Sequence, residues 1–488
     1  MGDTNRVSMI FVEETTLGTT PSISGGNLRT GRLTGEGLNF NIANIKSQEL
    51  RSDRMTTDLV QTGAKNDGPL QFELSFPTTR TYFDQFIGSA FFNTWTIMAE
   101  RYNVTSDSVI TQVTAASDTF TCTDTGENFA EGHLVRASGF TNSGNNQLFR
   151  AQSGSSGTAC VAPSSPGLTD EAAPPAGARL KVVGFQGASG DITAGASSLG
   201  STLLDFTTLG LSVGQWIKTG GTAAGDKFAT AACNGWARIT AIAANTLTLD
   251  NLPTGWTTDT GAGKTIMVFC GDILKNSTTM RSFTVEKGFL DQGTPTYATY
   301  LGCVVGGMDL TFQANQIVSG SFTLLGMTHA TATSSLGSAT AATTAGVMNA
   351  VSNVGRIAEG GSEVTTPNYV QSLTMQINNN LREKPAIGIL GLSGIGAGEF
   401  SVSGAMRTYF GSKALYDKYV AGTETSINVR VTKDSQAVIF TLPRIKFDSG
   451  KIVAAGANQD VLADMTYVAI RDSTTSCHAQ IDRVEEYQ

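Results

Sequence analysis

The chain carries one pattern at both ends. Near the N-terminus, Gly68-Pro-Leu-Gln-Phe-Glu-Leu-Ser-Phe76 alternates apolar and polar residues and leads through Arg80-Thr-Tyr-Phe83 into the amphipathic run Tyr82 to Phe92. Near the C-terminus, Gly398-Glu-Phe-Ser-Val-Ser403 leads through Arg407-Thr-Tyr-Phe410 into a second amphipathic segment ending at Val420. Strict alternation is the mark of a half-buried strand, and apolar residues at helical spacing mark a helix packed on a sheet. A duplicated strand–helix unit without catalytic vocabulary describes a building block.

Composition supports a β protein. The 488 residues exceed one ordinary domain, and 55 glycines with only 15 % charged residues point to many turns and strands. The net charge of −8 disfavours tight sequence-independent binding to a phosphate backbone. Residues 1–11 hold no long apolar run, so no signal peptide is read there. Met-Gly opens a myristoylation pattern that fails at Arg6, and no stretch is long and apolar enough to span a bilayer as a helix. Cys122, Cys160, Cys233, Cys270, Cys303 and Cys477 lack paired spacing and read as free buried thiols.

The expected organisation is a polar arm (1–33), a first unit (34–104) interrupted by two β modules (105–187 and 188–271), the remainder of that unit (272–327), a low-complexity linker or arm (328–366), and a second unit (367–488). The modules read as small β-barrels or sandwiches because they repeat. Phe129-Ala-Glu-Gly-His-Leu-Val-Arg136 parallels Leu211-Ser-Val-Gly-Gln-Trp-Ile-Lys218; Asn145 aligns with Asn234, and Thr169-Asp170 with Thr258-Asp259. The fold class is therefore mainly β: two tandem β-sandwich or barrel units, each with a short helix, plus two inserted β domains.

Catalytic and metal-binding patterns are missing from the sequence. Gly261-Ala-Gly-Lys-Thr265 resembles the end of a phosphate loop, but Thr258 stands where a glycine is needed and a strand-like run follows, so a turn is expected. His133, His329 and His478 form no chelating pair, and Cys477-His478 would face opposite sides of a strand. Glu485-Glu486 reads as a solvated terminus. No catalytic residue, cofactor or metal is expected. Trp95, Trp216, Trp236 and Trp256 are read first as core or patch residues and second as sugar-stacking platforms.

Several segments carry a family likeness: Phe440-Thr-Leu-Pro-Arg-Ile-Lys-Phe447, Gly456-Ala-Asn-Gln-Asp460, Thr466-Tyr-Val-Ala-Ile-Arg-Asp472, and Glu49-Leu-Arg-Ser-Asp-Arg54 ahead of the 70–76 strand. Over roughly 34–100 and 272–488 the chain resembles the major tail tube proteins of long-tailed bacteriophages. The resemblance implies a structural virion protein that polymerises into stacked rings around a DNA channel, is built in the host cytoplasm, and meets tape-measure and tail-terminator proteins. It also implies non-specific, transient passage of DNA and no membrane insertion. One-unit members form sixfold rings, so a two-unit chain is expected to close a pseudo-sixfold trimer. Glu49, Arg51, Asp53 and Arg54, with Arg382, Glu383 and Lys384 as counterparts, are expected at subunit or ring contacts. The inserts would decorate the outside and could touch the host surface. The alternatives are a virion-surface adhesin with glycan-binding modules and, further off, a hydrolase.

Overall fold

The computed structural model describes residues 6–104, 108–123 and 126–488. Residues 1–5 of the expected arm and the expected boundary at 104/105 lie at or outside the limits of the described residues. The fold is mainly β, with an α-helix at Tyr82–Ala90 and another at Ala414–Val420.

An 18-stranded sheet system runs through both halves of the chain, and its strand order repeats. In the first half, strands pair antiparallel in the order Val7–Glu14, Ser282–Phe289, Thr296–Gln313, Ser319–Gly326, Leu59–Glu73, Asn39–Lys46. In the second, the order is Val354–Glu359, Thr425–Lys433, Gln436–Ala454, Val461–Ala469, Ser401–Tyr409, Val370–Asn378. Irregularities coincide as well. Each half breaks register between its second and third strands, at Phe283/Val285 and Thr425/Ile427. Each breaks it again on the long strand, at Val305/Gly307 and Phe447/Ser449. Bulges bend strands at fixed places, so shared bulges mark the same fold drawn twice.

The halves meet through strand pairing. Gly307–Gln313 lies antiparallel to Ser372–Asn378, so the outer strand of the second half extends the sheet of the first. One apolar core runs under both, from Phe11, Phe72, Phe83 and Phe322 to Met375, Phe440 and Tyr467. Each helix lies on the long strand of its own half. Thr81 caps the first helix by accepting from the Asp84 backbone N–H at 3.4 Å.

Three expectations change here. The repeated Arg-Thr-Tyr-Phe strings are not structural equivalents. Arg407–Tyr409 end a strand, whereas Arg80 and Thr81 precede a helix. Register matches Arg407, opposite Asp464, with Gln71, opposite Ser321. The expected arm holds a full strand, Val7–Glu14, whose Phe11 and Val12 are buried. The expected linker 328–366 contributes strands Thr328–Ala332 and Val354–Glu359 and the buried Met348.

The inserted region forms one body. Arg179–Gln186 of the first module pairs with Met267–Cys270 of the second inside a 10-stranded sheet, and one core spans Met98 to Cys270. The internal repeat holds at atomic detail. His133 Nδ1 accepts from the Ala130 N–H at 3.0 Å, and Gln215 Oε1 accepts from Ser212 N–H at 2.8 Å. Asn146 clamps Phe140 through its N–H and C=O; Asn234 clamps Phe228 in the same way. The matched asparagine is thus Asn146, one residue past the expected one. The matched acid is Glu171, which bridges Val113 as Asp259 bridges Ala194.

This body is docked on the main sheet. Leu134 and Trp216, at equivalent repeat positions, pack with Trp236 and Phe269 against Ala437, Ile439 and Val484. Trp216 Nε1 donates to Thr441 Oγ1 at 2.9 Å. Below them, Arg483 donates to Asp84 and, at 2.9 Å, to Asp272, while Lys181 donates to the other Asp272 oxygen at 2.7 Å. Burial opposes the charge on Asp272, yet Lys181 and Arg483 hold its carboxyl down at about 2. Burial raises the Asp84 carboxyl against the pull of the same arginine.

Candidate assembly surface

The sheet system leaves two projections. The first is the hairpin of Asn39–Lys46 and Leu59–Glu73, closed by residues 47–58. The second is the smaller hairpin Arg382–Pro385 with Leu392–Gly396. They fill the same place in the repeated order, between the outermost strand and its neighbour. The chain reverses there without a sheet partner beyond, so side chains that would be core elsewhere meet solvent. Ile42, Ile45, Leu50, Met55, Leu59 and Val60 are exposed on the first, and Ile387, Ile389 and Leu390 on the second. Such a concentration of apolar surface makes these projections the candidate contact sites.

The residues singled out by sequence all lie on these projections. In the first loop Arg51 and Asp53 pair with each other, Nη2 to Oδ2 at 2.6 Å and Nε to Oδ1 at 3.0 Å. The guanidinium, with the Met55 N–H, holds the Asp53 carboxyl below its ordinary value. Glu49 and Arg54 are exposed, and Arg54 adopts the left-handed backbone (φ 61°) that turns the loop. On the second hairpin Arg382 donates to Ala397 O at 3.1 Å, and the Lys384 carbonyl accepts from Ser393 at 2.7 Å.

Within one chain the two charged groups do not meet. Glu383 instead accepts from Lys65 on the stem of the first hairpin at 2.7 Å, and Lys65 also pairs with Asp67 at 3.0 Å. The Glu383 and Asp67 carboxylates raise the lysine above its ordinary value, against a slight burial. Beside this bridge Ala64 N–H donates to Leu390 O at 2.7 Å. Between the hairpins lies an open cleft of about 320 Å³ lined by Ile42, Ala64, Lys65, Glu383 and Leu390. Lys65 escaped the sequence argument because its partner is more than three hundred positions away. The exposed apolar residues were not singled out, because nothing in a sequence distinguishes an exposed isoleucine from a core one.

Elsewhere the chemistry is structural. The Gly261–Lys264 stretch forms a turn, with positive φ at Gly261 and Gly263, before the Met267–Cys270 strand. Among the described residues no group of His, Cys, Asp or Glu could hold a metal, and no helix is long and apolar enough to cross a membrane. All six cysteines are free and buried. The tryptophans needed for sugar stacking are engaged internally. Arg483 covers Trp95, Arg430 covers Trp236, and Trp256 donates to Gly195 O at 2.8 Å. Trp216 and Trp236 are buried, so neither offers a free stacking face, while Trp95 and Trp256 are partly exposed.

A family model described as phage tail tube protein matches residues 4–469. A search of curated proteins finds no match.

Proposed function

The chain belongs to the phage tail tube protein family, and from that premise we propose that three copies close each ring of the tube, six sheet units around a DNA channel. A structural role in the virion tail follows from membership itself. The observation that carries the stoichiometry is the strand order drawn twice in one chain, joined by sheet pairing between its halves. If one-unit relatives close with six units, three of these chains supply them. Stacked rings, assembled in the host cytoplasm and flanked by tape-measure and terminator proteins, would then conduct DNA. The net charge of −8 suits a channel that must not retain phosphate.

The exposed hairpins suit contacts between rings or subunits, with their charged loops setting register. Cryo-electron microscopy of assembled tubes tests the ring directly: three chains per ring are expected, and six whole chains would refute the trimer. Charge reversal at Arg51 and Arg54 together is expected to shorten tubes and reduce their yield. Tubes of normal length from that variant would remove the loop from assembly.

A further inference from the structure

The joint inside one chain has a counterpart with an empty seat. In the first half, the far end of the long strand, Gly307–Gln313, is paired on both sides, by Ser319–Gly326 and by Ser372–Asn378. The matching stretch of the second half begins at Ser449, just past the shared bulge. Residues 449–454 pair only with the Val461–Ala469 strand; their other edge has no sheet partner among the described residues.

The partner of that joint also has a counterpart. Ser372 lies opposite Arg407, as Gly35 lies opposite Gln71; Gln376 lies opposite Ser403, as Asn39 lies opposite Asp67. Residues 35–41 therefore occupy in the first half the place of 372–378 in the second. Among the described residues they pair with the Leu59–Glu73 strand alone, so their outer edge is open too.

We propose that these two open edges join between neighbouring copies, 449–455 of one chain antiparallel to 35–41 of the next, in the register of the internal joint. Internally Gly307 faces Asn378, Asp309 faces Gln376 and Thr311 faces Thr374. Transferred residue by residue, Ser449 faces Asn41, Lys451 faces Asn39 and Val453 faces Gly37. Ile452 then sits beside Leu38, as Leu310 sits beside Met375. Burial supports the transfer. Leu310 is 1 % exposed, whereas Ile452, its equivalent, is 42 % exposed in the single chain. Two unpaired edges would invite indiscriminate pairing; a head-to-tail joint that repeats the internal one uses both and closes the ring.

The proposal rests on the ring reading, and one experiment separates them. Lys451→Cys and Asn39→Cys are placed in the same chain, tubes are assembled and oxidised, and products are resolved by denaturing electrophoresis without reductant. Residues directly opposite on an antiparallel pair have Cα atoms about 4.5–5.5 Å apart, within the Cα range of disulfides. The buried native cysteines do not compete. Head-to-tail products ending at a covalent trimer are expected. The off-register pair Lys451→Cys with Ile42→Cys, on opposite faces, is expected to give none. Cross-linking in the second pair alone, or in neither while microscopy shows trimeric rings, overturns the joint and leaves the ring. Products ending at a hexamer keep the joint and overturn the trimer. Should the cysteines prevent assembly, hydrogen exchange on the unaltered protein decides: assembly is expected to slow exchange at 35–41 and 449–455 by about tenfold or more. Unchanged exchange there overturns the joint.

Discussion

Asp482 shows how one side chain ties stability to pH. It is fully buried and accepts from Trp216 N–H at 3.0 Å and Gln480 Nε2 at 2.6 Å, with no cation in salt-bridge contact among the described residues. Burial pushes its carboxyl up to about 7 from 3.8. The folded state therefore binds this proton more tightly than the unfolded state. Its contribution to stability is full at low pH and is lost as pH rises from about 4 to 7. Asp482→Asn keeps an acceptor for Trp216 and removes the titration. Thermal melts are expected to show the unaltered protein losing stability between about pH 4 and 7 and the variant losing less. Asp272 has the opposite sign. Its stabilisation is present above the ordinary carboxylate value and is lost as pH falls toward about 2. Lys181→Met would leave Asp272 without one of two buried cations, a loss of about 3–5 kcal/mol by denaturant unfolding. Arg51→Ala, on an exposed loop, is expected to leave the melting temperature unchanged while altering assembly.

Elements were legible where periodicity and burial agreed. The 70–76 alternation and the apolar spacing after Tyr82 both reappear, because one face of each element is sealed in the core. The insert repeat was legible through glycines and amides whose backbone roles demand them. Gly132 and Gly214 both take positive φ, at 91° and 94°. The slip from Asn145 to Asn146 arose because adjacent asparagines look alike in sequence, and only one reaches the Phe140 backbone. The Arg-Thr-Tyr-Phe identity misled because four residues carry no conformation of their own; their sheet neighbours decide it. The 328–366 stretch escaped because small residues there are held by backbone bonds, such as Thr340 O to Thr30 N–H and Met348 N–H to Leu74 O. Of the assembly surface, the charged loops were legible and the Lys65–Glu383 bridge was not. Since Asn146 and Asn234 do the same work, alanine at either is expected to cost a similar 1–3 kcal/mol, roughly, in unfolding experiments.

At the scale of the molecule, the inserted body is a structural half of its own contact rather than a detachable ornament. Thr96 and Ile273 lie in an antiparallel bridge, so excising 99–270 would close the chain without stretching it. The excision would nonetheless bare Ala437, Ile439 and Val484, take Lys181 away from the buried Asp272 and take Trp216 away from Asp482. Such a chain is expected to be recovered as aggregate, and normal soluble yield with tube formation would contradict the interface. The Gln480–Val484 strand gives this interface a timing. It inserts beside Asp272–Lys275 and Gln436–Ala454, and residues after it pair with the inserted body, Glu485 with Arg179 and Glu486 with Arg136. Everything it fastens is synthesised before it. A nascent chain can form its separate cores early and seat Trp216 against Thr441, yet the pairings made by 480–486 wait until that segment leaves the ribosome. Translation would thus act as a clock, completing the interface only once this strand has been made.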